Sequence, residues 1–215
     1  MASQSPRRRE LLQLLGLPFE VAVADVDEEP RADEAPAQLV TRLSRAKARG
    51  VTFDGPRSAL VIACDTIVAL EDGYRESEIL GKPRDPEEAA AMLRRLRGCR
   101  HVVYSGLTVL TGDGRASTKL AETHLRMRPY TDSEIEAYVA TGDPLDKAGS
   151  YAIQHAGFDP VESVEGCYAS VMGLPLCHLA RCLRRRGRPP AADVPSACEA
   201  HTGHRCTVYQ EFLGS

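Results

Sequence analysis

The chain has 215 residues, 27 basic and 30 acidic side chains, and a net charge of −3 with histidine neutral. That length suits one domain with at most a short appendage, and 43% apolar with 27% charged residues excludes a disordered chain. No run approaches the roughly 20 apolar residues of a membrane helix, and the opening MASQSPRRRE lacks the apolar core of a signal peptide. The near-neutral balance argues against a nucleic-acid polymer as partner. Seven cysteines, an odd number without framework spacing, read as free thiols in a reducing compartment. A soluble, cytoplasmic protein that engages no membrane is the expectation.

Ser5-Pro6 predicts a helix start, a hydroxyl N-cap followed by proline, running through Leu11, Leu12 and Leu15 to Gly16. A short extended run, Phe19 to Val23, leads into the acidic segment Asp25 to Glu29. A second helix opens at Pro36 and carries Leu39, Val40, Leu43 and Ala46 on one stripe before Gly50. Ala59 to Cys64 is an apolar run rich in β-formers, a strand ending at Asp65, and Thr66 to Leu70 is a second extended run reaching a hairpin turn at Asp72-Gly73. Asp85-Pro86 caps a helix with Ala89, Met92, Leu93 and Leu96 inward. His101 to Leu110 reads as a strand, with a turn at Gly112 to Gly114 and a return strand through Leu125. Thr131 and Glu134 form a capping box. A Gly-rich connection, Gly142 to Gln154, precedes a final helix from Pro175 that buries Leu176, Leu179 and Leu183 and ends in Arg184-Arg185-Arg186. Residues 1–187 form one domain, and 188–215, Pro- and Ala-rich without periodicity, read as a flexible tail. Strands alternating with helices, plus two hairpin signals, predict an α/β protein with a mixed sheet.

Several charges sit awkwardly for a purely structural role. Asp65 follows six apolar residues at a predicted strand end, where open α/β sheets bind ligands; the alternative is a carboxylate capping the next turn. Arg7 and Arg8 lie in a first helical turn, where the dipole disfavours cations unless a phosphate sits there; otherwise they are solvated. Ser3 and Ser5 supply hydroxyls in the same turn. Lys47 lies near an apolar stripe, either snorkelling outward or reaching into a cleft. Lys82 and Lys147 occupy turns that can fix an ammonium beside an anion. Glu28 either joins Asp65 as a hard oxygen ligand for Mg²⁺ or belongs to a solvated acidic loop. No P-loop, dinucleotide fingerprint or nucleophile elbow is present. Cys198, His201, His204 and Cys206 are spaced C-x₂-H-x₂-H-x-C, which matches no common zinc module.

Together these blocks resemble a family. Ala2-Ser3-Gln4-Ser5-Pro6-Arg7-Arg8 is similar to the opening signature of the Maf family of nucleotide pyrophosphatases. Val26-Asp27-Glu28, Arg45-Ala46-Lys47-Ala48, Asp65-Thr66-Ile67-Val68, Gly81-Lys82-Pro83, the run Gly142 to Gln154, and Gly173-Leu174-Pro175-Leu176 follow in the family's order. The resemblance spans about Met1 to Gly187. It implies a mixed twisted sheet flanked by helices, with two lobes around a central nucleotide-binding cleft (the Maf/ITPase-like architecture). It further implies a dimer that hydrolyses nucleoside triphosphates between the α and β phosphates, with a divalent metal cation, Mg²⁺ or Mn²⁺, as cofactor.

By motif position, Asp65 is the implied proton acceptor. Ser5, Arg7, Lys47 and Lys82 fall at phosphate-binding positions, and Glu28 with Asp65 at the metal. Arg8, Thr66 and Gln154 resemble the subfamily acting on dTTP and UTP, while the segment Val26 to Lys47 resembles the one preferring 7-methyl-GTP. The family also places a short apolar strand before Ala2, where here only Met1 stands; this predicts a sheet short of one member and a looser phosphate loop. A nucleotide-binding regulator that keeps the cleft without turnover is the competing class. Polar residues from Tyr74 to Glu78 are expected to shift Lys82.

Overall fold

The computed structural model describes residues 1–51, 59–70 and 78–213. The turn expected at Asp72-Gly73 and most of the polar insertion after it lie outside them. Helix α1 (Pro6–Gln13) forms where the sequence places it: Ser5 is extended, its hydroxyl accepts the Arg8 N–H at 3.5 Å, and Leu11, Leu12 and Leu15 are buried. Helix α2 (Pro36–Arg49) buries Leu39, Val40 and Leu43 on the predicted stripe, with Ser44 and Ala48 beside them. The run Phe19 to Val23 contributes only a single bridge, at Ala22.

The expected break at Asp65 does not occur. Residues Leu60–Leu70 form one strand, β1, and Asp65 lies in its middle. A buried carboxylate followed by a half-buried hydroxyl would ordinarily interrupt an apolar strand; here each finds a partner, Asp65 in Lys47 and Thr66 in Ser105, so the ladder runs through. Strand β2 (Glu78–Leu80), helix α3 (Pro86–Leu96) and the long hairpin β3 (Arg100–Thr111) with β4 (Ala116–Met127) follow. The capping box of Thr131 and Glu134 opens α4 (Asp132–Ala140) as predicted. Strand β5 (Val161–Glu165) and the one-turn helix α5 (Tyr168–Val171) escape sequence reading, the strand because its residues are half-buried or exposed, the helix because four residues show no period. Helix α6 (Leu176–Arg184) buries Leu176, Leu179 and Leu183.

The sheet order is β2-β1-β3-β4-β5, antiparallel at every strand pair. Among the described residues parallel pairing enters only through Ala2, which bridges Ala22 and Ala63. Alternation along β1 divides the core. Ile62, Cys64 and Val68 face the main cluster with α1, α3 and α6, while Ile67 and Ala69 face α2. The segment after Gly187, read as a flexible tail, carries two helices, α7 (Val194–Thr202) and α8 (Tyr209–Leu213), which pack on α6. Val194 is fully buried, and the Ala191 N–H donates to the Leu15 carbonyl at 3.0 Å. These helices are too short to show an amphipathic period, and their docking depends on partners far away in sequence.

Candidate active site

Among the described residues, β1 is paired at its outer edge only at Ala63, by Ala2, and from Val68 onward, by β2. Residues 64–67 are therefore an open stretch of sheet edge, and a cavity of about 900 Å³ occupies it. Sequence pattern places Asp65 at a ligand site by ending a strand there; in the structure Asp65 lies within the strand, at a stretch of its edge left unpaired among the described residues.

The nine residues that the family resemblance assigns to the site line this one cavity: Ser5, Arg7, Arg8, Glu28, Lys47, Asp65, Thr66, Lys82 and Gln154. Asp65 points toward α2, its side chain 8% exposed, and its Oδ1 accepts from Lys47 Nζ at 2.6 Å. Lys47 also meets Glu28 Oε1 at 2.8 Å, so its ammonium stands between the two carboxylates. That arrangement departs from the simple expectation of Lys47 as a free phosphate-binding cation.

The α1 N-terminus opens on the cavity, with Ser3, Ser5 and Pro6 in its wall. Arg7 and Arg8 are half-buried against the cavity rather than free on an open helix face. Arg7 lines the cavity with a loose ion pair to Asp146 at 3.7 Å. Arg8 is fixed by neutral oxygens, donating through Nε to the Gly173 carbonyl at 2.9 Å, through one terminal nitrogen to Ser3 at 3.4 Å, and through the other to Thr66 at 3.2 Å. Its charge is uncompensated by those partners. Thr66 pairs with Ser105 at 2.7 Å, which donates to the Ser170 carbonyl at 2.8 Å. Lys82 and Gln154 are exposed on the cavity wall.

Sequence reading undervalued the segment from Tyr138 to Ala152. Lys147 is buried and donates to Asp143 Oδ1 at 3.0 Å and to Asp146 Oδ1 at 2.6 Å. Tyr138 donates its hydroxyl proton to Asp143 Oδ2 at 2.6 Å and accepts the Ala152 N–H at 3.0 Å. Burial opposes ionisation of Asp143, yet the Tyr138 and Lys147 hydrogen bonds prevail and hold its pKa below the ordinary value; for Asp146, burial is likewise outweighed by Lys147. Gly149 has φ +69°, and a Cβ there would stand 2.9 Å from the Val68 side chain, so the turn needs glycine twice over. The weak signal available was the block Asp146-Lys147-Ala148-Gly149 itself.

Glu28 Oε1 and Asp65 Oδ1 both approach the Lys47 ammonium and are hard oxygen donors of the type that would suit Mg²⁺ or Mn²⁺. Among the described residues no group of three or more His, Cys, Asp or Glu side chains is arranged to hold a metal ion. A metal here would rest on these two carboxylates and on the bound substrate.

An α/β protein whose sheet edge opens into a cation-lined cavity around one buried carboxylate is built to hold a polyanion. The pattern that defines Maf-like proteins matches residues 1–186, and the chain belongs to the Maf family. It is 49% identical over 186 residues to the dTTP/UTP pyrophosphatase of Salinibacter ruber, covering 86% of this chain and 88% of that one. The dTTP/UTP pyrophosphatase of an Anaeromyxobacter species is 46% identical over 199 residues, 91% of this chain and 92% of that one. That of Myxococcus xanthus is 47% identical over 190 residues, 88% and 92%. A solved nucleoside-triphosphatase / dITP/XTP pyrophosphatase from Mycobacterium abscessus aligns over 95% of this chain and 93% of its own, with 14% identity and a TM-score of 0.40.

Proposed function

We propose that this chain hydrolyses nucleoside 5′-triphosphates, dTTP and UTP foremost, to the nucleoside monophosphate and diphosphate. The observation that carries the reading is Asp65, buried in mid-strand, facing Lys47 and sharing one cavity with Arg7, Arg8 and Lys82. Relatives of 46–49% identity are named for this activity. Residues 1–187 are the catalytic unit in this reading, and α7 and α8 an addition to it. Dimerisation is what the family resemblance implies, and the seven free cysteines are the ground for a cytoplasmic location in a reducing compartment.

The triphosphate lies along the α1 N-terminus, where backbone N–H groups, Ser5 and the guanidinium of Arg7 meet its oxygens. Lys82 reaches the same chain from the opposite wall. Asp65 accepts the proton of the water that attacks the α-phosphorus. The bond from that phosphorus to the bridging oxygen breaks, and the charge gathered on the departing diphosphate is met by the cations of the cavity. Lys47 offsets the charge of Asp65 and Glu28, so a site with four nearby acids still accepts an anion. A divalent ion held by Glu28 and Asp65 supplies Lewis-acid polarisation when bound. Gln154 presents an amide to the base, and the Arg8–Thr66 pair forms a fixed wall beside it.

Diphosphate release with Mg²⁺ or Mn²⁺, against an EDTA control, tests the reaction. Asp65→Asn is expected to lower turnover by about 10²–10⁴-fold while the protein stays folded; full turnover in that variant refutes the role given to Asp65. Nucleotide binding without metal-dependent product supports the regulator instead. Among dTTP, UTP, CTP, GTP and 7-methyl-GTP, the first two should be fastest, and faster hydrolysis of 7-methyl-GTP overturns the pyrimidine assignment.

A further inference from the structure

The Arg8–Thr66 contact in the cavity wall is one link of a chain of hydrogen bonds that runs into the core. Antiparallel register sets Thr66 of β1 directly across from Ser105 of β3, so the two side chains share one face of the sheet. Thr66 is half-buried at the cavity, whereas Ser105 is fully buried behind it. Beyond Ser105 stands the one-turn helix α5, whose Ser170 is fully buried as well.

Protons can be assigned along this chain because a carbonyl only accepts. Ser105 donates to the Ser170 carbonyl at 2.8 Å and has no second proton to give. The 2.7 Å contact between Thr66 Oγ1 and Ser105 Oγ is therefore made with the Thr66 proton. A guanidinium only donates, so the 3.2 Å contact from Arg8 ends on a Thr66 lone pair. Donation runs from Arg8 to Thr66 to Ser105 to Ser170. A threonine hydroxyl has one proton and two lone pairs. With the proton directed inward and one lone pair taken by Arg8, Thr66 offers the cavity a lone pair and no proton.

The inner end of the chain is held firmly. Ser170 Oγ donates to the Cys167 carbonyl at 2.7 Å and meets Thr123 Oγ1 at 2.9 Å, and Thr123 Oγ1 accepts the Cys167 N–H at 3.0 Å. The Ser170 carbonyl also receives the Gly173 N–H at 3.0 Å. Gly173 in turn braces Arg8. Its carbonyl accepts from Arg8 Nε at 2.9 Å, and with φ +112° it lies so close that a Cβ there would stand 3.1 Å from that nitrogen. Arg8 and Ser105 are thus anchored on the same turn. Of the five guanidinium N–H groups, three are committed to Gly173, Ser3 and Thr66, which leaves two as donors for a ligand.

This polarity bears on the choice of base, and the inference rests on the nucleotide reading given above. An exposed carboxamide presents either its oxygen or its nitrogen, so Gln154 suits uracil and cytosine alike. Fixed polarity belongs instead to the Arg8–Thr66 pair, a donor beside an acceptor. Uracil and thymine carry the matching edge, a carbonyl oxygen at C4 beside an N3–H. Cytosine carries the reverse, an amino group beside a bare N3.

We propose that Ser105 is a positioning residue for base selection: by holding the Thr66 proton it keeps that hydroxyl an acceptor, and the cavity thereby selects uracil and thymine over cytosine.

The ratio of kcat/KM for UTP to that for CTP reads this role, because general damage to the site lowers both values together. In Ser105→Ala the Ser170 carbonyl keeps the Gly173 N–H, so the fold should persist while Thr66 turns its proton toward the cavity. The ratio should fall about 3–10-fold, the scale of one neutral hydrogen bond. Thr66→Val removes the hydroxyl and should lower the ratio too; in that background Ser105→Ala should change it no further. Ser105→Cys replaces a strong acceptor with a weak one and should fall between wild type and Ser105→Ala, and it carries the test if the alanine variant does not fold. An unchanged ratio in the folded Ser105 variant overturns the proposal, as does an equal fall in the Thr66→Val background. A wild-type protein that hydrolyses CTP as fast as UTP refutes the base assignment itself, and the proposal with it.

Discussion

Gly106 lies on β3 directly opposite Asp65, where α2 crosses the sheet. A methyl group added there would stand 2.3 Å from the Val40 carbonyl oxygen, 2.6 Å from its carbon and 3.0 Å from the Thr41 nitrogen. Ordinary contact begins at 3.4 Å, so α2 must retreat by the difference between 3.4 and 2.3 Å, about 1.1 Å. The obstructing atoms are backbone and cannot rotate aside. Overpacking of this kind costs about 1–3 kcal/mol, and a backbone obstruction belongs in the upper half of that range. At about 2–4 °C per kcal/mol for a chain of this size, Gly106→Ala should melt roughly 4–12 °C lower. Helix α2 also carries Lys47, whose ammonium sits 2.6 Å from Asp65. A misplacement of about 1 Å in such a site can lower the rate by about 10²-fold. Thermal unfolding followed by circular dichroism, with diphosphate release from dTTP on the same preparation, measures both effects. A variant with unchanged melting and full turnover would show that α2 does not press on β3 at this point, and the account of how Lys47 is positioned fails with it.

Tyr138→Phe removes the acceptor of the Ala152 N–H and the donor to Asp143, leaving a buried amide unpaired at about 1–3 kcal/mol. A several-fold rise in KM for dTTP with kcat little changed is expected, because the loosened segment carries Gln154; an unchanged KM removes Tyr138 from that role. His101 is buried, its Nε2 paired with the Tyr151 hydroxyl at 2.7 Å, and burial lowers its pKa from 6.5 to about 4. As pH falls, the unfolded chain takes the proton first, so stability is complete above about 6.5 and is lost on descent toward about 4, on the order of 3 kcal/mol in all. Denaturant melts across that window, for the wild type and for His101→Phe, should show a steeper loss in the wild type. Parallel pH curves for the two proteins would contradict this.

Much of the scaffold is legible locally. Ser5-Pro6, Asp85-Pro86 and the Thr131/Glu134 box mark helix starts that the structure reproduces, because capping depends on residues three positions apart. Asp65, Arg7 and Glu28 stood out because each carries charge where a surface explanation is strained. Local pattern nevertheless places Asp65 at a strand end, since a carboxylate inside an apolar strand is tolerated only when a lysine from a distant helix meets it. Strand β5 is made by pairing with β4 rather than by its own polar sequence, and α7 and α8 are held by contacts to α6 and Leu15.

The order of residues by itself determined where α1, α2, α3 and α4 begin, the apolar runs that make up the central strand, and the inventory of cations and carboxylates, because caps and periodicity act over a few residues. Tertiary structure alone decided that the sheet edge stays open beside Asp65, that Lys47 stands between two acids, and that α7 and α8 dock on α6. Each of those depends on segments tens of residues apart being brought within a few ångströms, a relation that no local pattern encodes.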